Sequence, residues 1–167
     1  EPGIPRDPFL PNDLITITLP DGAVQSFRFL PQPDNVTLGF GAYGQFYSPE
    51  FVAADPSTTS TLSIVTSDGG PRDLTYPFDG EYFYRPGSTS DSAAYSPARF
   101  RDNYELTTRS GVKLLIDSLS GDLLKLTDRN GNSVSFHGSG FTSDTGVGIS
   151  FVYQSTPYGE VIVEVQG

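Results

Sequence analysis

A six-residue stretch returns twenty positions later with four of its residues unchanged, and that recurrence limits what this chain can fold into. Leu106-Thr107-Thr108-Arg109-Ser110-Gly111 aligns with Leu126-Thr127-Asp128-Arg129-Asn130-Gly131, sharing Leu, Thr, Arg and Gly. The flanks agree as well. Tyr104 and Leu106 lead into Ser110-Gly111 and return through Val112, Leu114 and Ile116, while Leu124 and Leu126 lead into Asn130-Gly131 and return through Val134 and Phe136. Apolar residues at every second position around a Gly turn define a β-hairpin, so the spacing predicts one hairpin per repeat. A single hairpin is marginal in water, and neighbours must pair to bury their apolar face. A stretched third copy runs from Phe151 and Tyr153 through Pro157-Tyr158-Gly159 to Val161, Val163 and Val165.

The N-terminal part carries the same signal once. Ile15, Ile17 and Leu19 alternate with Thr16 and Thr18, Pro20-Asp21-Gly22 turns the chain, and Val24, Phe27 and Phe29 return. The phase slip between Val24 and Phe27 predicts a bulge. Further strands are expected at 61–66, 72–78 and 80–85, a compact aromatic loop around Gly39, Gly41 and Gly44, and an exposed loop over 86–98. Eighteen Gly and fourteen Pro interrupt the 167 residues too often for long helices. The expected fold is all-β: an antiparallel sheet of tandem hairpins, as a meander or partial shell with sandwich-like character, and negligible helix. Three regions follow: a Pro-rich leader or linker over 1–13, a β lead-in or capping region over 14–100, and hairpin repeats over 101–167.

Composition narrows the function. The net charge of −10 repels phosphate backbones and anionic lipid, which argues against nucleic acid and membrane surfaces as partners. No apolar run is long enough to span a bilayer, so no membrane insertion is expected. With no Cys, disulfides, thiolate metal sites and Cys nucleophiles are excluded. The absence of Met points to a segment of a longer chain. The acidic, Lys-poor, Ser/Thr/Gly-rich composition is that of an exported protein, secreted or on the cell surface, from a bacterium.

Residues 104–136 resemble the Rhs/YD-repeat proteins. The likeness rests on Tyr104-Glu105-Leu106-Thr107-Thr108 through Gly111, then Asp117, then Gly121-Asp122 through Leu126-Thr127-Asp128-Arg129-Asn130-Gly131-Asn132. It extends more weakly to 148–167 and 14–30. The Tyr-Asp pair that names those repeats is missing, and His137-Gly138 stands where it would fall. The resemblance implies tandem hairpins coiled into a long sheet or shell within a large secreted or surface protein. A chain of this length would form a small arc of such a shell.

Candidate chemistry is sparse. Asp128, Asn130 and Asn132 present oxygens that suit a hard cation such as Ca²⁺, but Asn-Gly also suits a plain type I′ turn. Asp117, Asp122 and Asp128 form a second acidic set, whose bland role is bonding to local amides. His137, the only histidine, has no nucleophile elbow nearby, and Gly138-Ser139-Gly140 is too short to be one. No carboxylate pair is singled out for glycoside hydrolysis. An enzyme is not expected, and neither is a cofactor. Tyr82 and Tyr84, on one face of a predicted strand, with Tyr43 and Tyr47, form either sheet core or an exposed platform for glycans. The last strand, 160–165, is expected at a sheet edge, open to other copies or to further repeats and blunted by Glu160 and Glu164. Sequence therefore favours a non-enzymatic structural or assembly module acting through sheet edges, with a carbohydrate- or cell-surface-binding module as the alternative.

Overall fold

A computed structural model describes residues 8–37, 43–67, 72–75, 82–86 and 94–167, and the side chains of all of these except 33–37 and 43–45. The fold is all-β, as expected, with a single helical turn at Pro97–Phe100 (α1). Strands β1 (Leu14–Thr18), β2 (Val24–Phe29) and β5 (Phe51–Ala53) form a small antiparallel sheet. A second small sheet joins β3 (Gln32–Thr37), β4 (Tyr43–Ser48) and β7 (Leu74–Thr75). The large sheet starts with β6 (Thr61–Val65) and continues as an unbroken meander. Its members are β8 (Asn103–Thr107), β9 (Lys113–Asp117), β10 (Leu123–Thr127), β11 (Ser133–His137), β12 (Gly140–Ser143), β13 (Gly148–Thr156) and β14 (Gly159–Gln166).

The recurrence in sequence is a recurrence in structure. Thr108 N–H donates to Val112 O (2.8 Å) and Gly111 N–H to Thr108 O (2.9 Å). Twenty residues on, Asp128 N–H donates to Asn132 O (2.8 Å) and Gly131 N–H to Asp128 O (3.1 Å). The same pair of bonds closes the turns at 19–23 and 143–147. The expected type I′ turn at Asn130-Gly131 is corrected. Only the glycine has positive φ (94°), so this is a type I turn followed by a one-residue bulge, the arrangement of a three-residue hairpin loop. The third copy is not a simple repeat, because β12 intervenes before the longer β13–β14 hairpin.

The core lies between the first small sheet and one end of the large one. Ile15, Phe27, Phe29 and Phe51 face Leu62, Tyr104, Leu106, Leu114 and Ile116, with Phe51 and Tyr104 ring centroids 6.0 Å apart. Residues from both sides of position 100 build this one cluster. Burying each large apolar side chain contributes roughly 1.5–3 kcal/mol relative to exposure, so this sandwich is the source of most of the stability.

Several local expectations change. Residues 8–13 are not a loose leader: Phe9 is buried against Phe29, Phe51 and Tyr95, and its N–H donates to Tyr95 O (2.7 Å). The β1–β2 register runs without a bulge from Leu14↔Arg28 to Thr18↔Val24. The apparent slip arises because Gln25, 4% exposed, takes the inward position that Val24 was expected to fill. Its Oε1 accepts the Thr59 and Ser60 N–H groups (3.0 and 3.1 Å), which satisfies a buried polar group. The aromatic loop is corrected too: 43–48 is strand β4, while Gly39, Phe40 and Gly41 lie outside the described residues. Of 72–78, Leu74 and Thr75 form β7, and of 80–85 only Tyr84 makes a bridge; 76–81 lie outside the description. The loop expected at 86–98 is buried from Ala94 to Ala98, and 87–93 are not described.

Candidate functional site

Of the tyrosines read as either sheet core or platform, Tyr84 is buried and Tyr47 and Tyr82 are half-buried. Tyr84 is 7% exposed, exchanges backbone hydrogen bonds with Thr75 (2.7 and 2.8 Å), and lies next to the buried Phe83. Tyr84 makes isolated bridges to Thr75 and Ala94 without a continuous ladder, which does not enforce strand alternation, so Tyr84 and Phe83 both turn inward. Tyr82 is half-buried in a bend, and Tyr47 packs edge-on against Phe83 at 5.2 Å. Tyr43 lies in β4 and its side chain is outside the description. Of the two readings of these tyrosines, sheet core and exposed platform, Tyr84 takes the first.

The oxygen-rich turn is satisfied from within. Asp128 Oδ1 accepts the N–H groups of Asn130 (2.8 Å) and Asn132 (2.9 Å), and Oδ2 accepts from Asn132 Nδ2 (2.7 Å). The Asn132 amide, followed by backbone N–H groups, holds the Asp128 carboxyl below the usual carboxylate range. Asp117 does the same for the β9–β10 connection, where its Oδ1 accepts the Leu119 and Ser120 N–H groups (2.8 and 2.7 Å). These bonds, the Ser120 amide first, lower its pKa. Among the described residues, no three His, Cys, Asp or Glu side chains converge as metal ligands. Asp117 and Asp122 bracket the β9–β10 turn, where Asp117 N–H donates to Asp122 O (2.9 Å), and Asp128 sits in the next turn. His137 ends β11 exposed, its Nε2 3.2 Å from Thr142 Oγ1.

A buried ion pair has no signature in the sequence. Asp102, fully buried, receives Arg72 Nε on Oδ2 (2.9 Å) and Arg72 Nη2 on Oδ1 (2.5 Å), with Ser67 N–H also on Oδ1 (3.2 Å). Ser118 Oγ donates to the Asp102 carbonyl. The Arg72 guanidinium lies 5.0 Å from the Phe100 ring centroid. This fork joins the loop after β6 to the start of β8. Its partners are thirty positions apart in irregular segments, so no periodicity or motif links them.

The accessible feature is the far end of the large sheet. Burial falls steadily from β8 and β9, which carry the core, through half-buried β10 and β11 to β14, where every residue is exposed. Among the described residues β14 pairs only with β13, leaving an eight-residue edge. β1 is also an edge strand, shorter at five residues. In β14 the register shifts between Val152↔Glu164 and Tyr153↔Ile162, so Val163 is an extra residue. Regular alternation would set Ile162 and Val165 on opposite faces. The bulge puts both on the face of their partners Tyr153 and Phe151. Tyr153, Ile162 and Val165 are 42%, 53% and 60% exposed.

No family model, no curated protein and no solved structure matches this chain. The likeness to Rhs/YD-repeat proteins therefore rests on the residues of 104–136 themselves.

Proposed function

We propose that this chain is a non-enzymatic assembly module of an exported, Rhs/YD-repeat-like protein, working through the edges of its large sheet. One observation carries the reading: β14 ends the meander with a long outer edge and no strand beyond it among the described residues. Such an edge presents unpaired N–H and C=O groups, a template for strand addition by another copy or a further hairpin. Glu160 and Glu164 limit indiscriminate pairing but do not cap the edge, since no Pro lies within β14. Tandem hairpins closed by the same turn support the repeat-scaffold part of the reading.

The test is a proline placed on the outer edge. Thr156↔Gly159 flanks a two-residue turn, so pairs alternate from there and Glu160 directs its N–H away from β13. The wild-type chain should self-associate with rising concentration in sedimentation equilibrium, or capture a synthetic strand. The Glu160→Pro variant should lose strand capture while keeping its far-UV circular dichroism. A wild-type chain that stays monomeric and captures no strand would overturn the reading.

A further inference from the structure

From the faces of the large sheet, as distinct from its edge, we infer a dimer: the apolar face of β11–β14, over which no other described element packs, together with the adjoining Leu126 of β10, is a docking surface for the same face of a second copy. This rests on the assembly reading above but sets the contact on a different surface. Residues directly opposite across a ladder share a face, so the register traces one stripe through the meander. It passes from Leu114 to Leu126, from Leu126 to Val134, from Phe136 to Phe141 and from Phe141 to Ile149. It ends with the pairs Phe151–Val165 and Tyr153–Ile162. Leu114 belongs to the core, so this is the face that β1, β2 and β5 cover at the other end. The reverse face is mostly polar over the same strands, with Lys125 opposite Ser135, Ser135 opposite Thr142 and Ser150 opposite Gln166, and its exposed valines, Val152 and Val161, lie opposite Glu164 and Gln154.

Three properties point to a second copy as the cover. The face continues the established sheet-on-sheet core, and its complement is therefore another apolar sheet face. It carries little charge although the chain carries −10, because Glu160 at the hairpin tip is the one charged residue on it over these strands. Two copies thus meet without stacking like charges at the centre. Five strands about 4.8 Å apart and about 14–30 Å long offer roughly 500 Å², so a pair buries on the order of 1,000 Å², the lower limit for a specific interface. The bulge in β14 fits this purpose, since it turns Ile162 and Val165 together toward the stripe.

The chain has no Trp, so Tyr153→Trp supplies a single fluorescent reporter on the face. Sedimentation equilibrium of this variant and of wild type should show a dimer, with the emission shifting to the blue in step with dimer formation. Phe151→Lys should keep the far-UV spectrum and weaken the dimer at least tenfold, whereas Phe151→Leu and Glu160→Pro should retain it. If Phe151→Lys fails to fold, Val165→Lys serves in its place, on a terminal strand outside the core. A dimer that persists with Lys on the face overturns the inference. So does mass that rises while the indole emission stays solvent-exposed. In that last case loss of association in Glu160→Pro leaves the edge reading standing and removes the face alone. A strictly monomeric wild type assigns the face to a different polypeptide and overturns the inference.

Discussion

At Asp102 a carboxylate with no access to water is balanced by one guanidinium and one backbone amide. Removing either charged partner leaves the other buried and uncompensated, which in comparable sites costs about 3–5 kcal/mol. Arg72→Ala should therefore destabilise the fold by that amount in urea titration, far more than loss of the exposed Lys113–Glu105 pair (2.9 Å). Tyr95 and Tyr104 present the opposite case. Both hydroxyls are buried without a hydrogen-bond partner among the described residues, and burial raises both phenol pKa values, that of Tyr95 with the help of Asp102. Tyr104→Phe removes an unsatisfied group while keeping the ring, so it should leave stability unchanged or raise it by about 1 kcal/mol, measured by urea titration. The turn carboxylates give a pH dependence. Asp55, Asp117 and Asp128 all have folded pKa values below 3.8, Asp55 chiefly through the Ser57 hydroxyl. Their contribution is present above the unfolded value and lost as pH falls through the folded ones. The urea midpoint should hold steady above pH 3.8 and drop below it, less steeply in Asp117→Asn and Asp128→Asn.

Between elements, the tightest junction joins β12 to β13. A Cβ at Gly140, where φ is 148°, would meet Ile149 O at 2.0 Å, and one at Gly148 would meet Phe141 O at 2.4 Å. Neither contact can be relieved by moving a flexible side chain, because both oxygens belong to the backbone. Gly140→Ala should separate the last hairpin from the sheet, with faster amide exchange in β13 and β14 and unchanged exchange in β8 and β9. Hairpins of this kind were legible in the sequence wherever alternation flanked a Gly turn, as at Leu106 to Leu114 and Ile15 to Phe27. Alternation misled where a polar residue took a core position, as Gln25 does, because its burial depends on Thr59 and Ser60 amides more than thirty residues away. It misled again at Tyr84, where two isolated bridges, to Thr75 and Ala94, stand in for a strand. The open edge at 160–165 was legible, since strong β character at the end of a hairpin series leaves one strand unpaired. The bulge at Val163 was not, because Val and Ile follow one another there and either phase fits.

Across the whole molecule the large sheet is longer than its cover. The sheet of β1, β2 and β5 shields β6, β8 and β9, and Leu123 and Leu126 of β10 still pack against that core, while β11–β14 share an apolar face that no other described element packs over. Amide protection should accordingly decline from β9 to β14, read strand by strand in exchange experiments; uniform protection of all eight strands in the isolated monomer would contradict that picture. Sequence located the meander but not this imbalance, since the covering residues Phe9, Phe29 and Tyr95 lie in segments read as leader, hairpin and exposed loop. The order of strands also sets the tempo of folding. Every ladder from β8 to β14 joins neighbours in sequence, whereas β6 reaches β8 only after the chain has travelled through residues 66–102. Local ladders zip with little entropy lost, but bringing Thr61 opposite Thr107 requires closing that long excursion first. The meander is thus the quick half and the sandwich the slow half. Until the slow half closes, the apolar side of a finished sheet faces water along its full width.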